Sequence, residues 1–247
     1  MLSLPLIKAL KRGLLFLKKT GPIFIPIALL LYLFLFFLSP NLLLHLEQRF
    51  QQKFVFFSPS EPILALLRFS LTLFFLIFFP FAYLGLLSLI NYIFPLRKKF
   101  FHLIYFLGLF FFYIGVAFAY FITLPYGIKF LISFKTESLE PAISLSHFVN
   151  FFCFFLLIFG FIFELPLILA FLITLNIVKP AKVTKYRKEI FFFIVVFSAI
   201  ITPTPDAINM SLLAIPLYIL FEVGLLLGKV IKKFNIPLVD TQRELQQ

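Results

Sequence analysis

The polar residues of this chain fall in short clusters, and the apolar runs between them have membrane-crossing length. About 20 residues of helix, at 1.5 Å each, are needed to cross the hydrocarbon. By that measure the charge-poor stretches predict spans at roughly 21–39, 63–93, 101–127, 148–178, 190–203 and 208–228. The expected fold is an all-α membrane protein with six transmembrane helices. Only about a dozen apolar residues separate Glu189 from Pro203, so the fifth span is expected to thin the bilayer locally or to stop below the far surface. No polar stretch is long enough for a soluble domain, and residues 1–247 read as a single integral membrane domain.

Composition agrees, with 62% hydrophobic and 13% charged residues, where soluble domains carry about 25% charge. The positive charges set the orientation, because cytoplasmic loops near span ends retain Lys and Arg. One side collects Lys8, Lys11, Arg12, Lys18 and Lys19, then Arg97 to Lys99, then Lys179, Lys182, Lys185, Arg187 and Lys188, then Lys229, Lys232, Lys233 and Arg243. The other has Arg49, Lys53, Lys129 and Lys135, with Arg68 just inside the second span and expected to snorkel. Both termini are therefore expected in the cytoplasm, with the chain in the cytoplasmic (inner) membrane. The net charge of +12 serves topology and anionic lipids, and nucleic acid is excluded as a partner. The run from Gly21 has no A-x-A cleavage site before Ser39-Pro40 and is kept as a span rather than a signal peptide. The one cysteine, Cys153, allows no intrachain disulfide.

Enzyme chemistry finds no footing. GxSxG, HExxH, Walker and GxGxxG patterns are absent, and His45, His102 and His147 lack ligand spacing. No cofactor or metal is expected. What remains is Glu164, with no other Asp, Glu, Lys, Arg or His from Phe148 to Val178. A carboxyl near the centre of a span is costly, and its default reading is a working site. Helix-to-helix glue is the bland alternative. Pro166 strengthens the functional reading, because a proline two residues on deprives the Ile162 carbonyl of its helical donor and kinks the span. Glu222, seven residues before Lys229 and so roughly 10 Å from the inner end, is free to snorkel or to pair with Lys229 or Lys233. The two acids differ in depth, which argues against a carboxylate dyad. Pro203 and Pro205 form a turn, and Asp206 is placed to cap the last helix.

These residues carry a family resemblance. Thr202 to Asp206, Leu212 to Tyr218 and Phe221 to Gly224 resemble the last hairpin of TatC, the multispanning receptor subunit of the twin-arginine protein translocase. Phe159 to Pro166 is similar to that family's fourth-span motif, and Phe112 to Gly115, Ala117 to Phe121 and Pro125 to its third span. Ser58 to Glu61 resembles its first outer loop and Lys185 to Lys188 its second inner loop, so the likeness runs in order over about 58–230. It implies a concave bundle that binds the signal peptides of folded cargo. It also implies assembly with TatA/TatB-type single-span proteins into an oligomeric complex driven by the proton-motive force. The signal-peptide or partner site would comprise Glu164, Phe163, Pro166, Asp206 and Glu222.

The likeness fails where the family receives the two arginines, at acids in the N-terminal segment and the first inner loop. Here those regions read SLPLIKALKRGLLFLKK and FPLRKKFFHL, without an acid. Guanidinium groups need carboxylates for bidentate pairing, and the inner side offers only Glu189, Asp240 and Glu244. Two alternatives stay open: a proton-coupled small-solute transporter using Glu164, and a divergent TatC-like scaffold without twin-arginine recognition.

Overall fold

A computed structural model describes residues 3–50, 54–93, 96–133, 143–201 and 207–233. Helix α1 (Ser3–Phe50) leads through a two-residue strand β1 (Phe54–Val55) to α2 (Glu61–Ile93) and α3 (Lys98–Phe118). A π-helical turn (Ala119–Thr123) joins α3 to α4 (Leu124–Ser133), and β2 (Ile143–Ser144) precedes α5 (Leu145–Ile162) and α6 (Leu165–Thr174). The chain continues with α7 (Pro180–Lys185), α8 (Arg187–Ile201) and α9 (Ala207–Lys233). Among the described residues five segments are long and apolar enough to cross a membrane: Ile25–Phe50, Glu61–Tyr92, Lys98–Lys129, Leu145–Thr174 and Leu213–Lys233. The 15 residues of α8, about 22 Å of helix, stand where the sequence puts its short fifth span. Pro203, Pro205 and Asp206 lie outside the described residues.

The helices depart from the expected spans where prolines and breaks intervene. The first was expected to end at Ser39, yet α1 passes through Pro40 to Phe50. Pro40 cannot donate to the Phe36 carbonyl four residues back, but the buried Ser39 hydroxyl donates to that same oxygen at 2.7 Å. The serine supplies the bond that the proline removes, so the helix continues. In the third span the π turn closes with the Leu124 N–H on the Ala119 carbonyl, shifting the register just before Pro125. The fourth span is two helices, α5 and α6, separated by a turn at Phe163 and Glu164.

Two compact units divide the described chain. In the first, α1 packs on α2, with α3 to Tyr105 and α5 to Cys153 completing it. Phe69 and Phe152 rings lie 5.9 Å apart, and the Phe148 ring lies tilted against Phe54 at 4.3 Å. A polar clamp holds one end. The Glu61 carboxylate accepts from the Phe57 N–H at 2.7 Å, the Ser146 N–H at 3.0 Å and the Ser144 hydroxyl, while Glu47 accepts from the Phe54 N–H at 3.1 Å. Parallel pairing of Phe54 with Ile143 and Val55 with Ser144 ties the same strands. Arg68, expected to snorkel, donates to Asn150 Oδ1 at 2.9 Å and Ser146 Oγ at 3.4 Å.

In the second unit, from Phe106 and Phe154 onward, α9 packs along α6 and against α8 and α7. Glycines set the helix separations. A Cβ on Gly115 would lie 2.4 Å from the Phe159 carbonyl oxygen, and one on Gly224 would lie 2.7 Å from Pro166 Cα. Gly228, one GxxxG step on, meets Ile173 at 2.7 Å. Such small residues let helix backbones approach closely in lipid. The end of α6 is fixed by Asn176, whose φ of 58° places it in the left-handed region. There the Ile177 N–H bonds the Leu172 carbonyl and the Asn176 N–H the Ile173 carbonyl, a Schellman ending.

Two tests follow from this geometry. Ser39→Ala should cost about 1 kcal/mol of stability in the natural background, and nothing beside Pro40→Ala, which returns the backbone donor. Thermal unfolding of the detergent-solubilised chain reads this cycle, and equal losses in both backgrounds would refute the substitution of hydroxyl for amide. Gly224→Ala should cost about 1–3 kcal/mol by forcing α9 off Pro166. Gly85→Ala, with nothing within 4 Å, should be neutral or should stabilise by up to about 1 kcal/mol.

Candidate functional site at the break in the fourth span

The break is built by its own sequence. Pro166 falls in the first turn of α6, where its missing donor is tolerated, and the chain upstream cannot run through it as regular helix. It turns instead: the Glu164 N–H bonds the Phe161 carbonyl three residues back at 3.1 Å, and the Glu164 carbonyl accepts from Leu167 and Ile168. Glu164 thus stands at the N-cap of α6 with φ −75° and ψ −14°, and its side chain makes no capping hydrogen bond. The carboxylate is not used to start its own helix. The residue is 7% exposed.

Both flanks of Glu164 are clamped. On one side Phe163, 6% exposed, lies 5.6 Å from the Phe118 ring and 6.4 Å from Phe159, and Gly115 admits α3 against that turn. On the other, Pro166 is fully buried with Gly224 of α9 against its backbone. The structure therefore brings Phe163, Glu164 and Pro166 together as one buried turn between α3 and α9. Leu165, between the acid and the proline, is 39% exposed, and Phe161 is 50% exposed. The surface next to the acid is open although the acid is not.

Glu222 belongs to a different cluster. Arg187 Nη2 donates to its Oε2 at 2.7 Å and the Tyr218 hydroxyl to its Oε1 at 3.1 Å, so its ion pair runs to the start of α8 rather than to Lys229 or Lys233. Two positions apart, Glu222 and Gly224 point about 200° apart around α9. One face of α9 meets α6, and the opposite one meets α8. Lys232 instead donates to Asn176 Oδ1 at 2.6 Å. The sequence reading missed Arg187, Asn176 and the Gly224/Gly228 pair. The GxxxG spacing was visible, whereas pairing across 35 residues between α8 and α9 left no local signal. Among the described residues no group of three or more His, Cys, Asp or Glu could hold a metal.

Comparison with known proteins agrees with this architecture. The family model described as Sec-independent protein translocase protein (TatC) matches residues 5–216. The chain is 30% identical to TatC of Carboxydothermus hydrogenoformans over 193 residues, 78% of this chain and 79% of that protein. With TatC of Desulforapulum autotrophicum it is 36% identical over 137 residues, spanning 56% of this chain and half of that relative's length. A crystal structure of the twin-arginine translocase receptor TatC in DDM superposes with a TM-score of 0.71 at 27% identity, covering 87% of this chain and 99% of that one. The chain belongs to the TatC family of Sec-independent protein translocase proteins.

Proposed function

We propose that this chain is the receptor subunit of a twin-arginine translocase, acting in the cytoplasmic membrane as one integral domain of six crossings with both ends inside. It binds the signal peptides of folded cargo and assembles with TatA/TatB-type single-span proteins into an oligomer driven by the proton-motive force. The observation that carries this reading is a glutamate in the middle of a span, set at a helix break in a chain whose family match runs over residues 5–216.

Mechanistically, Glu164 provides a polar point at midplane depth beside the exposed Phe161 and Leu165. A visiting helix lies along that surface, and small movements of the Phe163–Glu164 turn bring the carboxyl to it. The 15-residue α8 adds a second effect, because about 22 Å of helix against about 30 Å of hydrocarbon thins the bilayer beside the site. No catalytic group is needed.

Glu164→Gln and Glu164→Ala test the site in cells that depend on this chain for export. Both should reduce export at least tenfold with normal protein levels; undiminished export by Glu164→Ala would remove the role. A second reading, a scaffold that does not recognise paired arginines, is favoured by the missing acids in SLPLIKALKRGLLFLKK and FPLRKKFFHL. A pull-down of the purified chain with signal peptides carrying RR or KK separates the two. Preference for RR means that other acids, from this chain or from a partner, replace the missing ones, and equal capture selects the scaffold.

A further inference from the structure

We propose that the groove between α8 and the α6/α9 pair is a binding site for one anionic phospholipid, its acyl chain in the groove and its phosphate on the cations at the start of α8. The groove holds about 360 Å³ and is lined by Leu165, Ile190, Phe193, Ile194, Phe197 and Leu217. Four of these occupy one stripe of α8, at spacings of three, four and seven residues. Phe193 is 69% exposed and Phe197 43%, so the groove opens sideways along the helix rather than into the protein.

The stripe ends in a cation. Arg187 precedes Ile190 by three positions and Ile194 by seven, placing it on the same face at the basic end of the groove. Its Nη2 is used by Glu222, but a guanidinium carries five donors, and Nε is buried without a hydrogen-bond partner among the described residues. Lys185, at the end of α7, and Lys188 are exposed beside it. The acids at this end are Glu222, already bonded by Arg187 and Tyr218, and the exposed Glu189, so positive charge is left over.

An amphiphile with an anionic head and an apolar tail satisfies both halves of this arrangement. Basic pockets between membrane helices select such headgroups, and a short helix in a thicker bilayer leaves acyl chains to be accommodated along its side. A transmembrane helix in the groove would fill the apolar walls and leave the cations unanswered.

The chain contains no tryptophan, so one introduced indole reports locally. Phe193→Trp is placed in the full chain in nanodiscs of phosphatidylcholine, with brominated-acyl phosphatidylglycerol or brominated phosphatidylcholine added at equal mole fraction. Phosphatidylglycerol should quench at about fivefold lower mole fraction, the preference that about one surface cation confers. Phe192→Trp, on the lipid-facing side of the same helix at 62% exposure, should be quenched equally by both lipids. Lys185→Gln with Lys188→Gln, which leaves the Arg187–Glu222 pair intact, should bring the Phe193→Trp preference close to one. Equal quenching by the two lipids at position 193, no quenching there while position 192 is quenched, or a preference that survives loss of both lysines would each overturn the site. The readout involves no cargo, so its failure leaves the translocase reading untouched.

Discussion

Hydrocarbon offers no hydrogen bonds, so every backbone donor and acceptor within a span has to be satisfied by the chain itself. That constraint governs where these helices bend. Pro40 passes through α1 because the Ser39 hydroxyl takes over the Phe36 carbonyl. Before Pro125 the chain widens into a π turn closed on Ala119, and α6 ends in two bonds on the Leu172 and Ile173 carbonyls. Five hydroxyls obey the same rule: Ser70, Thr72, Ser88, Thr174 and Ser198 each donate to a carbonyl three or four residues back on their own helix. The turn at Glu164 obeys the same constraint, since Pro166 withholds the donor that a regular helix would need there.

Packing explains why that turn holds its place but not why it contains an acid. Between lipid-embedded helices the hydrophobic effect is nearly absent, and association rests on close van der Waals contact. Gly115 and Gly224 provide that contact on either flank of the turn, against Phe159 and Pro166. A leucine at position 164 would be compatible with the same glycine contacts and would avoid a burial cost that translocon scales put at about 2.5–3.5 kcal/mol for an acid at the span centre. The glycine contacts by themselves therefore give no reason for a glutamate at this position.

The sequence made the architecture legible because hydrophobic run length is a local signal. The ends of α2, the short α8 and the long fourth segment follow from charge-free stretches alone. The break at 163–164 was readable from Pro166, since a missing donor acts on the carbonyl four residues back. The end of the first span was misread at Ser39-Pro40, where proline was weighed without the serine that compensates it. From the sequence Glu222 is open to snorkelling or to Lys229 or Lys233 on its own helix, whereas its partner Arg187 arrives through the packing of α8 on α9. Local bonding was visible in the residues; pairing between helices needed the fold.

The distribution of charge limits how a signal peptide could be held. Its cationic end would meet a surface that already gathers Lys179, Lys182, Lys185 and Lys188 with Lys229, Lys232 and Lys233. Of the acids described at that end, Glu222 is committed to Arg187 and Tyr218, and Glu189 is exposed next to Lys188. Exposed charges of one sign repel over about 8–10 Å at physiological salt, so this surface opposes a cationic segment unless another chain brings carboxylates to it. An apolar segment would meet no such opposition, since Phe161 and Leu165 are exposed beside the broken helix. On the proposed reading, recognition divides by depth, with the membrane-buried turn suited to the apolar helix and any pairing with arginines left to acids supplied from elsewhere.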